Sequence, residues 1–163
     1  MKTSKIIFLL LAFALNIQAQ EQQAQPTLEF VMELRVKLDQ PYSVGKTARG
    51  QRNIIPITGG TFEGPKLKGE ILSGGADYQL TDENTHRTEI EAIYSIRTDD
   101  GVNIHVRNAG LILFNSNGAY FVTTPRFEAP QGSKYDFLNN AIFVCKPDPP
   151  ANGSLSLLIW MVK

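Results

Sequence analysis

From Leu28 onward the chain alternates in character. Leu28, Phe30, Met32, Leu34, Val36 and Leu38 fall on one side, and Glu29, Glu33, Arg35, Lys37 and Asp39 on the other, with Val31 alone breaking the order. A period of two predicts a long strand with one buried face, because successive side chains of a strand point to opposite faces. On a helix the same residues would scatter around the cylinder. Further on, Arg52 to Ile57 predicts a short strand, in which Pro56 marks an edge or a bulge because proline cannot donate to a ladder. Thr88 to Thr98 and Val102 to Asn108 flank Asp99-Asp100-Gly101 and predict a hairpin. A two-residue turn there would mix apolar and charged residues on both faces. A three-residue loop ending in a left-handed Gly101 pairs Ile96 with Ile104, Tyr94 with Val106 and Ala92 with Asn108, which keeps the faces separate, so this register is preferred. Gly110 to Phe114 and Ala119 to Thr124 are strands around a turn at Asn115-Ser116-Asn117-Gly118, the second stopped by Pro125. Ala141 to Lys146 and Leu155 to Val162 are two apolar strands joined by a Pro-rich loop, and Lys134 to Asn140 is the only helical candidate, a single turn.

The stretch from Ile57 to Leu80 concentrates Gly59, Gly60, Gly64, Gly69, Gly74 and Gly75 between short β-forming runs. No helix follows either Gly-Gly pair, so these glycines are the bends and bulges of a curved sheet rather than a phosphate loop. Short strands with sharp bends predict an all-β chain, a single antiparallel β-barrel of about 8–10 strands with little helix.

The N-terminus is read separately. Lys2 and Lys5 precede the apolar run Ile6 to Leu15 and the stretch Asn16-Ile17-Gln18-Ala19-Gln20, the order of a secretory signal peptide. Ten or so apolar residues are too few to span a bilayer, which takes about twenty. The expected organisation is a signal peptide over 1–20, a disordered Gln-rich lead over 21–26 and a barrel domain over 27–163, giving an exported protein, periplasmic or secreted, with no stable membrane insertion after cleavage. Without residues 1–20 the chain keeps 14 basic and 16 acidic side chains, a balance that offers nucleic acid no attraction. The single Cys145 has no internal disulfide partner and sits in an apolar run, as a buried thiol does.

Several ordered segments then point to a family. Gly50-Gln51-Arg52, Pro56-Ile57-Thr58-Gly59-Gly60-Thr61-Phe62, Gly69-Glu70-Ile71-Leu72, Gly74-Gly75-Ala76-Asp77, Tyr94 through Gly101, Asn108 and Thr124-Pro125-Arg126-Phe127-Glu128 resemble the uncharacterised family called domain of unknown function 3237. The likeness runs from about Leu28 to Val162. It implies a single β-barrel of unassigned role with a small-molecule cavity. Tyr78 stands where the family leads one to expect tryptophan, and His105 where tyrosine is common.

A small barrel holds one ligand against a mostly apolar wall with sparse polar groups. In the preferred hairpin register Tyr94 and Asn108 share a face on adjacent strands, and the strand from Ala76 to Thr81 adds Asp77 or Tyr78 according to its register. Arg52 and Arg126 are candidate anchors for an anionic ligand, since guanidinium grips a carboxylate through paired hydrogen bonds. Asp77 and Glu128 are candidate general acids or bases. The same residues also fit structural pairs, Arg52 with Asp77 and Arg126 with Glu128. His86 and His105 have no further ligand at motif spacing, so no metal is expected, and no cofactor motif is present. Three readings follow: a barrel that binds a small organic ligand, an isomerase, cyclase or lyase using an acid–base carboxylate and an arginine, and an interaction module with a filled barrel. A cavity of about 300 Å³ or more separates the first two from the third.

Overall fold

The computed structural model describes residues 25–116, 118–148 and 153–163. The expected signal peptide, most of the lead and the centre of the Pro-rich loop lie outside them. Ten strands follow in chain order: β1 (Leu28–Leu38), β2 (Tyr42–Thr47), β3 (Gly50–Glu63), β4 (Lys68–Ile71), β5 (Gly75–Asp82), β6 (Arg87–Thr98), β7 (Asn103–Asn115), β8 (Gly118–Glu128), β9 (Phe143–Pro147) and β10 (Ser154–Val162). A 3-10 turn spans Asp136–Asn140, within the one segment the sequence marks as helical.

The strand pairings among the described residues are all antiparallel, and they close. β1 pairs with β10 on one side and β3 on the other, β10 continues through β9, β8, β7 and β6, and β4 and β5 together link β6 back to β3. Since β1 and β2 occupy successive lengths of one position, as do β4 and β5, the ring is an eight-position barrel. Pro56 lies where β3 leaves β2 and takes up β1; its carbonyl accepts from the Asp39 amide at 3.0 Å, so the missing N–H falls at a corner without a ladder to complete. Gly60 has φ +138°, and a side chain there would strike the carbonyl oxygen of Arg35 on β1. The bend is thus compatible only with glycine.

The β6–β7 hairpin has the expected register, with Ile96 opposite Ile104, Tyr94 opposite Val106 and Ala92 opposite Asn108. Gly101 has φ +87° and donates to the Thr98 carbonyl, closing the three-residue loop. Several expectations on strand extent are corrected: β3 runs from Gly50 to Glu63 rather than over the short stretch Arg52 to Ile57, and β8 continues through Pro125 to Glu128 rather than stopping there, since its ladder with β7 carries on past the proline. β7 runs unbroken from Asn103 through Gly110 to Asn115, because its ladder with β6 continues past the glycine. In β1 the register shifts between Phe30 and Met32, so Val31 and Met32 are both buried while Leu28 and Phe30 are exposed. The Val31 exception in the alternation is this bulge.

One end of the barrel is solid. Met32, Leu34, Ile96, Ile104, Val106, Phe127, Phe143 and Ile159 fill it, and Tyr135 and Leu138 from the segment after β8 cover it. Phe127 and Phe143 meet edge to face with ring centres 5.0 Å apart. Asn139 fastens the covering segment by exchanging two hydrogen bonds with the Ala129 backbone, at 2.8 and 2.9 Å.

Candidate functional site

The other half of the barrel is hollow. A cavity of about 330 Å³ is lined by Val36 and Leu38 of β1, Ile55 and Ile57 of β3, Asp77 and Gln79 of β5, Ile90, Ala92 and Tyr94 of β6, Asn108, Ile112 and Phe114 of β7, Ala119, Phe121 and Thr123 of β8, Pro147 of β9, and Leu155 and Leu157 of β10. The change from solid to hollow follows side-chain size along the inward rows. β6 passes from Ile96 and Tyr94 to Ala92, and β7 from Ile104 and Val106 to Asn108 and Gly110. Beneath the cavity Gly75 lets β5 approach β6, since a Cβ there would lie 2.5 Å from Tyr94 Cβ.

Four polar side chains enter this apolar space. Asp77 stands opposite Ala92, and Ala92 opposite Asn108, so a carboxyl and an amide flank one methyl group in a single row. With strands about 4.8 Å apart, their backbones are about 10 Å apart, leaving a gap between them over Ala92. Tyr94, opposite Val106, is diagonal to Asn108 on one side, and Thr123, whose neighbour across the ladder is Gly110, is diagonal to it on the other. Diagonal neighbours on one face lie about 7–8 Å apart, so all four side chains line the same part of the lumen.

Their hydrogen bonding is incomplete. Asp77 Oδ2 accepts from Gln79 Nε2 at 2.8 Å, but Asp77 Oδ1, Tyr94 OH, Asn108 Oδ1 and Thr123 Oγ1 are buried and unpartnered. Buried polar atoms are nearly always paired, so four orphans in one cavity mark a place built for another molecule or for water. Burial raises the Asp77 carboxyl above the ordinary carboxylate range, with the Gln79 amide and the Glu91 backbone opposing it. Burial likewise raises the Tyr94 phenol. It pushes Cys145 up to about 11, against a small opposing effect of the adjacent Thr123 hydroxyl, which makes no full hydrogen bond.

The other candidates point outward. Arg52 lies opposite Leu80 rather than Asp77; its Nη1 donates to the Tyr78 carbonyl at 3.1 Å, on the outer surface with Arg49 and Arg87. The expected Arg52–Asp77 pair is therefore corrected, because Asp77 is opposite Ile55 and turned to the other face. Arg126 and Glu128 alternate with the inward Pro125 and Phe127 and are exposed, and no ion pair joins them among the described residues. Arg126 stands opposite Arg107, whose guanidinium pairs with Glu91. Tyr78 is also outward. The sequence reading missed Thr123, although its parity with Phe121 and Phe127 places it inward. It also missed Gln79, the partner of Asp77. No cluster of metal-ligating side chains occurs among the described residues.

Fold and lumen together define a closed antiparallel β-barrel with an open, mostly apolar chamber. The chain belongs to the family described as Protein of unknown function (DUF3237), which matches residues 26–153. It is 33% identical over 135 residues to a UPF0311 protein of Rhodopseudomonas palustris, covering 73% of this chain and 87% of that one. A UPF0311 protein of Clostridium acetobutylicum is 33% identical over 132 residues, covering 72% and 82%. Among solved structures, a beta-barrel like protein from Acinetobacter baumannii superposes with a TM-score of 0.80 at 31% identity, covering 88% of this chain and all of that one. A barrel described as an enzyme from Penicillium herquei gives a TM-score of 0.70 at 24% identity, covering 86% and 96%, and shares the fold.

Proposed function

We propose that this protein binds a small organic molecule in its lumen, with an apolar body against the Ile, Leu and Phe wall and a polar end at Asp77, Tyr94, Asn108 and Thr123. The observation that carries this reading is the convergence of four unpartnered buried polar atoms on one cavity of about 330 Å³, within the range of small-molecule sites. The lumen is not filled by side chains, which disfavours the interaction module. Export of the protein is part of the same reading and rests on Lys2, Lys5 and the apolar run that follows them. The test is native mass spectrometry of protein purified from its own host, beside Ala92→Leu, which fills the gap between Asp77 and Asn108. A retained small molecule in the wild type, absent from a folded Ala92→Leu, is the expected result. A molecule retained equally by both overturns the lumen as its site.

A second reading, an isomerase, cyclase or lyase, is favoured by the raised Asp77 carboxyl beside the Tyr94 phenol, groups able to move a proton. It loses its arginine, since Arg52 and Arg126 are outside the lumen. The fold shared with a barrel described as an enzyme is compatible with it.

A further inference from the structure

Resting on the lumen-binding reading above, we propose that the ligand is an organic amine, whose ammonium group sits among Asp77, Tyr94, Asn108 and Thr123 while its apolar body extends toward the mouth between Phe114 and Phe121. Of the four unpartnered buried polar atoms in the lumen, Asp77 Oδ1 and Asn108 Oδ1 are acceptors only, and the Tyr94 and Thr123 hydroxyls can accept as well as donate. An ammonium carries three donors and no acceptor, so it can serve several of these oxygens at once, whereas a neutral hydroxyl has a single proton to give. Charge points the same way. Asp77 is the one carboxyl in the cavity, and no Lys, Arg or His is among the residues lining it. A buried carboxylate without a counter-ion is costly, and the groups that support Asp77, the Gln79 amide and the Glu91 backbone, are both neutral. The missing positive charge is what an amine brings. An anionic ligand meets the opposite situation, with a carboxyl at the polar end and both candidate arginines on the far side of the wall.

The pairing predicts a pH profile. The titratable groups around the site are Asp77 from β5, Tyr94 from β6 and Cys145 from β9. The last two ordinarily titrate above pH 7 and burial raises them further, so the acid side of the profile belongs to Asp77. Amine affinity falls as acidification protonates it, while affinity for a neutral ligand is unaffected.

The experiment uses three probes of one shape, 2-phenylethylamine, 2-phenylethanol and 3-phenylpropanoate, titrated calorimetrically into the purified protein at pH 7 and into Asp77→Asn. The amine is expected to bind at least ten-fold more tightly than the alcohol, the carboxylate most weakly, and the amine's advantage to vanish in Asp77→Asn while the alcohol still binds. Retained alcohol binding shows that the variant is folded and its lumen open. An alcohol that equals or exceeds the amine, or an amine advantage that survives Asp77→Asn, overturns the proposal while leaving lumen binding in place. If none of the three binds the wild type, or if all bind Ala92→Leu as well as they bind the wild type, lumen binding falls and the amine proposal with it.

Discussion

Tyr94 is the residue whose interests in stability and in function conflict. Its ring is buried and its hydroxyl has no partner, and an unsatisfied buried polar group costs about 1–3 kcal/mol. Tyr94→Phe removes that hydroxyl and keeps the ring. Thermal melts should show unchanged or higher stability, by up to ~1 kcal/mol, while the affinity for a lumen ligand falls about two- to ten-fold, as expected for one lost hydrogen bond. Asp77 carries the same conflict with a pH dependence. Burial raises its proton affinity in the folded state, so the native protein holds that proton more tightly than the unfolded chain and stability falls as pH rises above about 4. Asp77→Asn removes this loss. Denaturant unfolding at pH 4 and pH 7 should therefore find the variant more stable than the wild type by a margin that grows with pH, and a margin independent of pH would mean that the carboxyl is well solvated.

At the scale of the element, β3 depends most on one backbone conformation. Gly60 combines φ +138° with a close approach to the Arg35 carbonyl, so Gly60→Ala should destabilise by more than about 1 kcal/mol, read from the denaturation midpoint. Its effect should exceed that of alanine at Gly118, which is also at positive φ, +123°, but has open space around it. The elements themselves were largely legible. Local alternation sets the faces of β6 and β7, and a glycine with positive φ sets their loop, so the register through Tyr94 and Asn108 followed from the sequence. In β8 the same rule was available: Phe121, Thr123, Pro125 and Phe127 share the inward face, which turns Arg126 and Glu128 outward. Their chemistry suits a site, but their parity excludes them from the lumen. The continuity of β7 past Gly110 was not legible, because a glycine in a strand weakens it only when nothing packs in its place. Here Thr123 of β8 occupies that space.

At the scale of the whole molecule, the closed end is tied by one carboxylate. Asp100, in the β6–β7 loop, accepts from Thr98 Oγ1 at 2.6 Å and from Tyr135 OH at 2.7 Å, and pairs with Lys134 Nζ at 2.9 Å. It thereby joins the hairpin to the segment that covers the barrel floor. These hydrogen bonds, the Thr98 one first, hold its carboxyl below the ordinary range. A carboxyl with a lowered folded pKa adds stability that is present above its unfolded value, near 3.9, and is lost as pH falls through the lower folded value. Asp100→Asn should accordingly be less stable than the wild type at pH 7, and the gap should close below about pH 4 in acid titrations followed by circular dichroism. A gap of constant size from pH 7 to pH 2 would assign the effect to geometry rather than charge.

The division between sequence and tertiary structure follows the range of the interactions. Alternation, glycine bends and hairpin loops act over a few residues, so the sequence by itself determined an all-β barrel and the inward direction of Tyr94 and Asn108. Whether Asp77 or Tyr78 faces the lumen, and whether Arg52 meets Asp77, depends on how β5 is paired with β3 and β6, a register set by contacts between separate segments. The hollow itself is a difference between the volume that ring closure encloses and the volume that all the inward side chains fill. Only the closed barrel fixes both quantities, and with them the meeting of Asp77, Tyr94, Asn108 and Thr123 at one place.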